Sequence, residues 1–313
     1  MSDPSDEDQG RRTVMNELTE YSRRGYVKAA GATAVAAQLA GCAGDTDNAS
    51  DSSGDSSGDG LVHLAGKTLT SLDPHKAVDD FDVCTAVNHY DPLVYLDVGG
   101  EVRPHIATDW TITSNGTAWE FTLREGVKTH AGNEITADDV VYSTDRFMEL
   151  GQGFASLFTG VVSDVEKISE YEVRFNLEEP YSQFITSLVL LFVLDADEVR
   201  ANEEDGDLGE SFLGDNVAGS GPYRLDSYTS GDEVSHVQFE DYWGGWEDQQ
   251  FESVRSDIVQ EASTQRQLMR SGEADISDPW LAPEAYEAMA ESEEVTVPDG
   301  IIDNTLFCIT MNC

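Results

Sequence analysis

The sequence predicts a mixed fold of strands and helices, α/β or α+β, with length enough for two domains. Three observations carry this: strands that alternate apolar and polar residues, helix-length runs opened by oxygen-bearing residues, and a body of about 250 residues, enough for two domains. Trp119-Glu120-Phe121-Thr122-Leu123-Arg124 places Trp, Phe and Leu on one face, and Tyr171-Glu172-Val173-Arg174-Phe175-Asn176-Leu177 repeats the pattern. Both read as half-buried strands. Between them, Thr136 precedes Asp138 and Asp139, and Val140, Val141, Met148 and Leu150 punctuate a helix-length run. A threonine cap with acids in the first turn suits the free N–H groups and the dipole of a helix start. A second helix is expected over roughly Ala262 to Arg270, with arginines in its last turns and Gly272 just beyond. Gly126 to Asn133 reads as a strand leaving and returning through glycine turns. Gly219-Ser220-Gly221-Pro222 lacks the Lys-Ser/Thr of a phosphate-binding loop and reads as a tight loop between strands. No internal repeat is present.

Ahead of this body lies a different kind of sequence. Ser22-Arg23-Arg24-Gly25-Tyr26-Val27-Lys28 is followed by an uncharged run, Ala29 to Ala40, that ends in Leu39-Ala40-Gly41-Cys42. A run of about a dozen weakly apolar residues is too short to span a ~30 Å hydrocarbon core. Its positive flank and small terminal residues have the order of a secretory signal. The stretch resembles a twin-arginine export signal (Ser22, Arg23, Arg24, Tyr26, Val27, Lys28) joined to a lipobox. That resemblance implies lipid attachment at Cys42 and an extracytoplasmic protein held at the cell membrane. Residues 1–41 are then the signal peptide, although Met15 offers an alternative start. Residues 42–60, rich in Gly, Ser and Asp, read as a flexible tether with an r.m.s. span of roughly 25 Å.

The formal charge is −43, from 61 acidic and 18 basic residues. Loss of the signal peptide hardly changes that balance. A field of this sign repels nucleic acid and anionic lipid surfaces, so neither is expected as a partner. The lysines are few: Lys28, Lys67, Lys76, Lys128 and Lys167. Acid excess with scarce lysine resembles proteins of extreme halophiles, in which molar salt shortens the Debye length to ~3 Å. A disordered acidic chain is excluded by the 39% hydrophobic content and its periodic placement.

Cys42, Cys84, Cys308 and Cys313 show no C-x-x-C, and no Cys/His cluster has zinc spacing, so no metal or cofactor is expected. A Cys308–Cys313 or Cys84–Cys308 disulfide and free thiols all remain open readings. Gly219-Ser220-Gly221 does not fit a G-x-S-x-G nucleophile elbow, and no H-E-x-x-H is present. Carboxylate pairs are too abundant here to mean anything by their number. No catalytic residue is assigned, and an exported hydrolase is kept as the rival class.

Several segments then fall in a recognisable order: Ser71-Leu72-Asp73-Pro74-His75-Lys76; Tyr90-Asp91-Pro92-Leu93-Val94-Tyr95; Val102-Arg103-Pro104-His105-Ile106-Ala107-Thr108-Asp109-Trp110; the long stretch from Trp119 to Val140; Gly219-Ser220-Gly221-Pro222-Tyr223; Asp241-Tyr242-Trp243-Gly244-Gly245; and Gly272-Glu273-Ala274-Asp275-Ile276. Together, over about Ser71 to Asn312, they resemble solute-binding protein family 5, the peptide- and nickel-type receptors of ABC importers. The resemblance implies an α/β, two-lobe periplasmic-binding-protein-like fold of type II. It implies no enzymatic activity, peptide as ligand, and ABC permease subunits with cytoplasmic ATPases as partners. Receptors for nickel complexes or oligosaccharides share the fold and are the alternatives within it.

The resemblance also divides the chain. Residues 61–97 and 216–303 form a discontinuous first lobe, 98–215 an inserted subdomain, and 304–313 the start of a second lobe that is otherwise missing. It implies that ligand is met by the loop after Leu72-Asp73-Pro74, including Asp79, Phe81 and Asp82. The backbone of Asn304, Thr305 and Leu306 is implied on the crossing strand. Binding by this polypeptide alone is then expected to be weak, and micromolar affinity by calorimetry would count against that reading.

Overall fold

In the computed structural model, the structure describes residues 60–97, 99–246, 250–277, 283–290 and 295. The strands are β1 (Gly60–Ala65), β2 (Val94–Leu96), β3 (Val102–Pro104), β4 (Ala107–Thr113), β5 (Ala118–Leu123), β6 (Val162–Ser169), β7 (Glu172–Leu177), β8 (Tyr223–Thr229), β9 (Glu233–Gln238), β10 (Ser253–Ile258) and β11 (Ile276–Ser277). The α-helices are α1 (Asp80–His89), α2 (Ala137–Leu150), α3 (Phe184–Ser187), α4 (Ala196–Ala201), α5 (Glu210–Asp215), α6 (Ala262–Ser271) and α7 (Pro283–Ala290). No helix among the described residues is long and apolar enough to cross a membrane.

Two sheets organise the body. The first has the order β11-β1-β10-β9-β8. Its β1 runs parallel to β10 and β11, while β9 is antiparallel to both β10 and β8. It therefore joins a strand from the start of the body to strands more than 150 residues later. The second sheet, β4-β5-β7-β6, is antiparallel and built wholly from the intervening chain. The hairpin β2-β3 leads into it.

The second sheet forms where alternation predicts it. Trp119, Phe121 and Leu123 on β5 and Val173, Phe175 and Leu177 on β7 are buried, with Trp119 opposite Phe175 and Phe121 opposite Val173. They join Val140 and Phe147 of α2 and Phe184 of α3 in one core. Each such aromatic or aliphatic side chain contributes roughly 1.5–3 kcal/mol through burial. Thr136 precedes α2, with both its N–H and its hydroxyl donating to the Asp139 carboxylate. Gly151 ends it in a left-handed conformation (φ 61°) with its N–H on Phe147 O. The predicted return from Gly126 to Asn133 is present as a Lys128–Glu134 bridge. The later helix is α6, closed by Gly272 at φ 74°.

The chain passes between the two sheets twice, and the passes touch. It leaves α1 at Tyr90 and returns through Gly219-Ser220-Gly221-Pro222 into β8. Gly221 N donates to His89 O at 2.9 Å. A Cβ on Gly219 would lie 2.1 Å from His89 O, and one on Gly221 would lie 2.4 Å from His89 C. Glycine is required by this close approach of two backbones, so the tight-loop reading holds.

Candidate functional site

The loop from Gly66 to Asp80 carries the implied ligand residues, and its conformation is fixed from both ends. Leu69, Leu72 and Phe81 are buried with Ala65 and Val234 against the first sheet. Asp82, in the first turn of α1, is also buried. Its Oδ1 accepts from Thr70 N at 2.9 Å and its Oδ2 from Val78 N at 3.0 Å, tying the two arms of the loop together. Asp79 caps α1, accepting from Asp82 N at 3.0 Å. Lys67 pairs with Asp80 and stands 3.9 Å from Asp79.

Asp79 and Asp82 thus have carboxylates engaged with backbone N–H groups, and Phe81 is part of the core. What the loop presents outward is Val78, 58% exposed, with Thr68 and Thr70 exposed across the loop. The structure brings Asp79, Phe81 and Asp82 together at this rim. Asn304, Thr305 and Leu306 lie outside the described residues, as do Cys42 and the export-signal residues Ser22, Arg23, Arg24, Tyr26, Val27 and Lys28. Of the cysteines, Cys84 is exposed on α1, and the other three lie outside the described residues.

Sequence reasoning missed what holds the middle of the loop. Asp73 caps a 3₁₀ turn, Pro74–Lys76, by accepting from His75 N. Its carboxylate also meets the Arg146 guanidinium of α2 in a two-pronged pair, Nη2 to Oδ2 at 2.7 Å and Nη1 to Oδ1 at 3.1 Å. Both side chains are wholly buried. Arg146 Nε donates to Leu208 O at 2.7 Å, and Nη1 lies 3.0 Å from His75 Nδ1. His75 Nε2 faces Phe192 O at 3.0 Å. A carbonyl only accepts, so Nε2 carries the hydrogen and Nδ1 takes the arginine proton. Burial, then the Arg146 charge, lowers the His75 pKa to about 4.

A second buried aspartate gathers the remaining motifs. Asp91 accepts from His105 Nε2 (2.7 Å), Ser220 Oγ (2.8 Å), Trp243 Nε1 (3.0 Å) and Tyr242 OH (3.4 Å). Three segments separated in sequence therefore close on one carboxylate. Arg124 stacks over Trp243 at 4.2 Å, which leaves that ring inside a packed turn.

Beside it, His89 Nδ1 donates to Tyr223 O at 3.1 Å, so its Nε2 accepts from His236 Nδ1 at 3.0 Å. Burial lowers the pKa of both, His236 to about 4 and His89 well below the ordinary histidine value. No cluster of three or more metal-ligating side chains occurs among the described residues.

The arrangement at the rim is one of shape and fixed backbone. Comparison with known proteins points the same way. Residues 101–313 match the model of the bacterial extracellular solute-binding proteins, family 5. The chain belongs to that family. It is 27% identical over 234 residues to a probable D,D-dipeptide-binding periplasmic protein of Escherichia coli, covering 73% of this chain and 45% of the relative. A periplasmic binding protein of Helicobacter pylori, solved with the peptide STSA, superposes with a TM-score of 0.65 at 25% identity, over 75% of this chain and 49% of the other. A dipeptide-binding protein of a Pseudoalteromonas species, solved with Met-Leu, gives a TM-score of 0.67 at 24% identity over 75% and 50%, and supports the fold. The chain spans about half the length of the relatives it matches. The α/β fold and the family resemblance drawn from the motifs both hold.

Proposed function

We propose that this chain is the substrate-binding component of an ABC importer, capturing dipeptides or oligopeptides outside the membrane and delivering them to a permease with cytoplasmic ATPases. Family membership across residues 101–313 carries the reading, and the peptide-binding relatives give the ligand class. Residues 61–97 and 216–303 act as a first lobe and 98–215 as its inserted subdomain. The rim around Val78, shaped by Asp79, Phe81 and Asp82, faces the peptide, and the backbone of Asn304, Thr305 and Leu306 pairs with it. An extended peptide held through its main chain needs few specific side chains, in keeping with a rim whose carboxylates are already engaged. The protein binds and releases without breaking bonds.

Export follows Ser22, Arg23, Arg24, Tyr26, Val27 and Lys28, and a lipid on Cys42 anchors the mature protein at the outer face of the membrane. The acid excess suits a saline exterior.

Amide chemical shifts of the chain under millimolar Met-Leu test the binding site. Shifts centred on residues 67–82 are expected. Shifts absent from that loop, or release of free amino acids from the peptide, would overturn the proposal. For the anchor, Cys42→Ala should move the protein from the membrane fraction to the medium.

A further inference from the structure

The outward-facing rim rests on the inserted chain as well as on its own sheet. Four contacts reach the backbone and side chains of Asp73–Ala77 from residues 146–210. Arg146 clamps Asp73 and His75. Phe192 O receives His75 Nε2. Glu210 pairs with Lys76. Gly153 packs so closely that a Cβ there would lie 2.8 Å from both His75 O and Ala77 O. Ala77 is the residue before Val78, so whatever displaces that carbonyl displaces the exposed rim.

We propose that Arg146 and Gly153 are positioning residues for the ligand rim: the inserted subdomain acts as a buttress that sets where Val78 and its flanking amides stand. This rests on the rim being the peptide-facing surface. It gives the inserted chain a part in binding although none of these residues faces the ligand itself.

Two glycines make the idea separable from general destabilisation. Gly151 and Gly153 both adopt positive φ, 61° and 54°, so alanine introduces similar backbone strain at each. They differ in surroundings. A Cβ at Gly151 would meet only Met148 O at 4.0 Å, whereas at Gly153 it strikes two backbone oxygens of the rim loop. Backbone oxygens cannot swing aside as a flexible side chain can, so the loop must shift.

Amide hydrogen exchange of the whole chain reads this directly. Lys76 N and Ala77 N bond to Asp73 O and Pro74 O, and Val78 N bonds to Asp82 Oδ2. In Gly153→Ala these amides should exchange about tenfold faster or more, through local opening. In Gly151→Ala they should stay within about twofold of wild type, and β5 and β7 amides should stay protected in both. Unchanged rim amides in Gly153→Ala, or equal acceleration in both variants, would overturn the buttress. Should Gly153→Ala lose protection throughout, Arg146→Lys, which keeps the charge but not the fork, reads the same amides. Acceleration there supports the proposal, and wild-type rates overturn it. A parallel titration with millimolar Met-Leu should show weaker rim shifts in Gly153→Ala than in Gly151→Ala. If wild type itself gives no rim shifts, the peptide reading fails, while the ligand-free exchange comparison still decides the buttress.

Discussion

Asp73 and Asp91 are both buried aspartates at junctions between the two sheets, yet they are satisfied in opposite ways. Asp73 meets a full positive charge, the two-pronged guanidinium of Arg146. Asp91 meets an indole, two hydroxyls and an imidazole, with no Lys or Arg in hydrogen-bond contact. A buried charge is tolerated when it is paired or fully hydrogen-bonded. In a chain with 61 acidic and 18 basic residues, only some buried acids can receive an arginine. The difference teaches that Asp73 depends mainly on one charged partner, with a single backbone N–H beside it, whereas Asp91 spreads its dependence over four uncharged or imidazole donors.

The comparison breaks most sharply at the end that relies on one charge. Arg146→Met should leave Asp73 buried with only the His75 N–H and destabilise the fold by about 3–5 kcal/mol in denaturant titrations. Asp73→Asn in that background should recover part of the loss. A single-variant effect below about 1 kcal/mol would mean that water or another group reaches Asp73.

Acid should act next. His75 and His236 have pKa values near 4 in the folded state, below the ordinary 6.5, because burial disfavours their charged form. The unfolded chain therefore binds more protons between these values. Stability contributed by each is fully present above about pH 6.5 and is lost as pH falls toward 4, by roughly 3 kcal/mol per histidine at most. Glu198, whose pKa burial raises to about 7, works in the opposite sense and offsets part of the change. His236→Asn keeps a donor toward His89 without a titrating ring. Its stability profile from pH 6.5 to 4 should be shallower than wild type by up to one proton, and parallel profiles would refute the assignment.

The smallest expected effect sharpens the distributed end. Asp91→Asn retains one acceptor oxygen but turns an NH₂ toward donors, so a loss of about 1–3 kcal/mol is expected. Ser220→Ala, removing one donor of four, should lose about 1 kcal/mol or less. A larger loss for Ser220→Ala than for Asp91→Asn would contradict the shared arrangement.

Much of the architecture was legible because it is local. The alternation at Trp119–Leu123 and Glu172–Leu177, the acids after Thr136 and the glycine past Arg270 each act within a few residues, and each element formed there. The glycines at 219 and 221 were readable as a tight loop, but what they make room for, the His89 carbonyl, was not. The candidate rim was placed by motif order alone. Its working residues escaped for a physical reason: Arg146 and Asp73 are 73 residues apart, and nothing near either one marks the partner. Asp82 looks like any helix-start acid until the fold brings Thr70 N and Val78 N to it.

The 2.9 Å bond from Gly221 N to His89 O has a consequence for how such chains diversify. The stretch between these two residues departs and comes back at nearly one point, like a cassette in a slot. Length added within it need not displace either flank, since loop-closure entropy grows only slowly with length, so long as the contacts of Arg146 and Gly153 to residues 73–77 are kept.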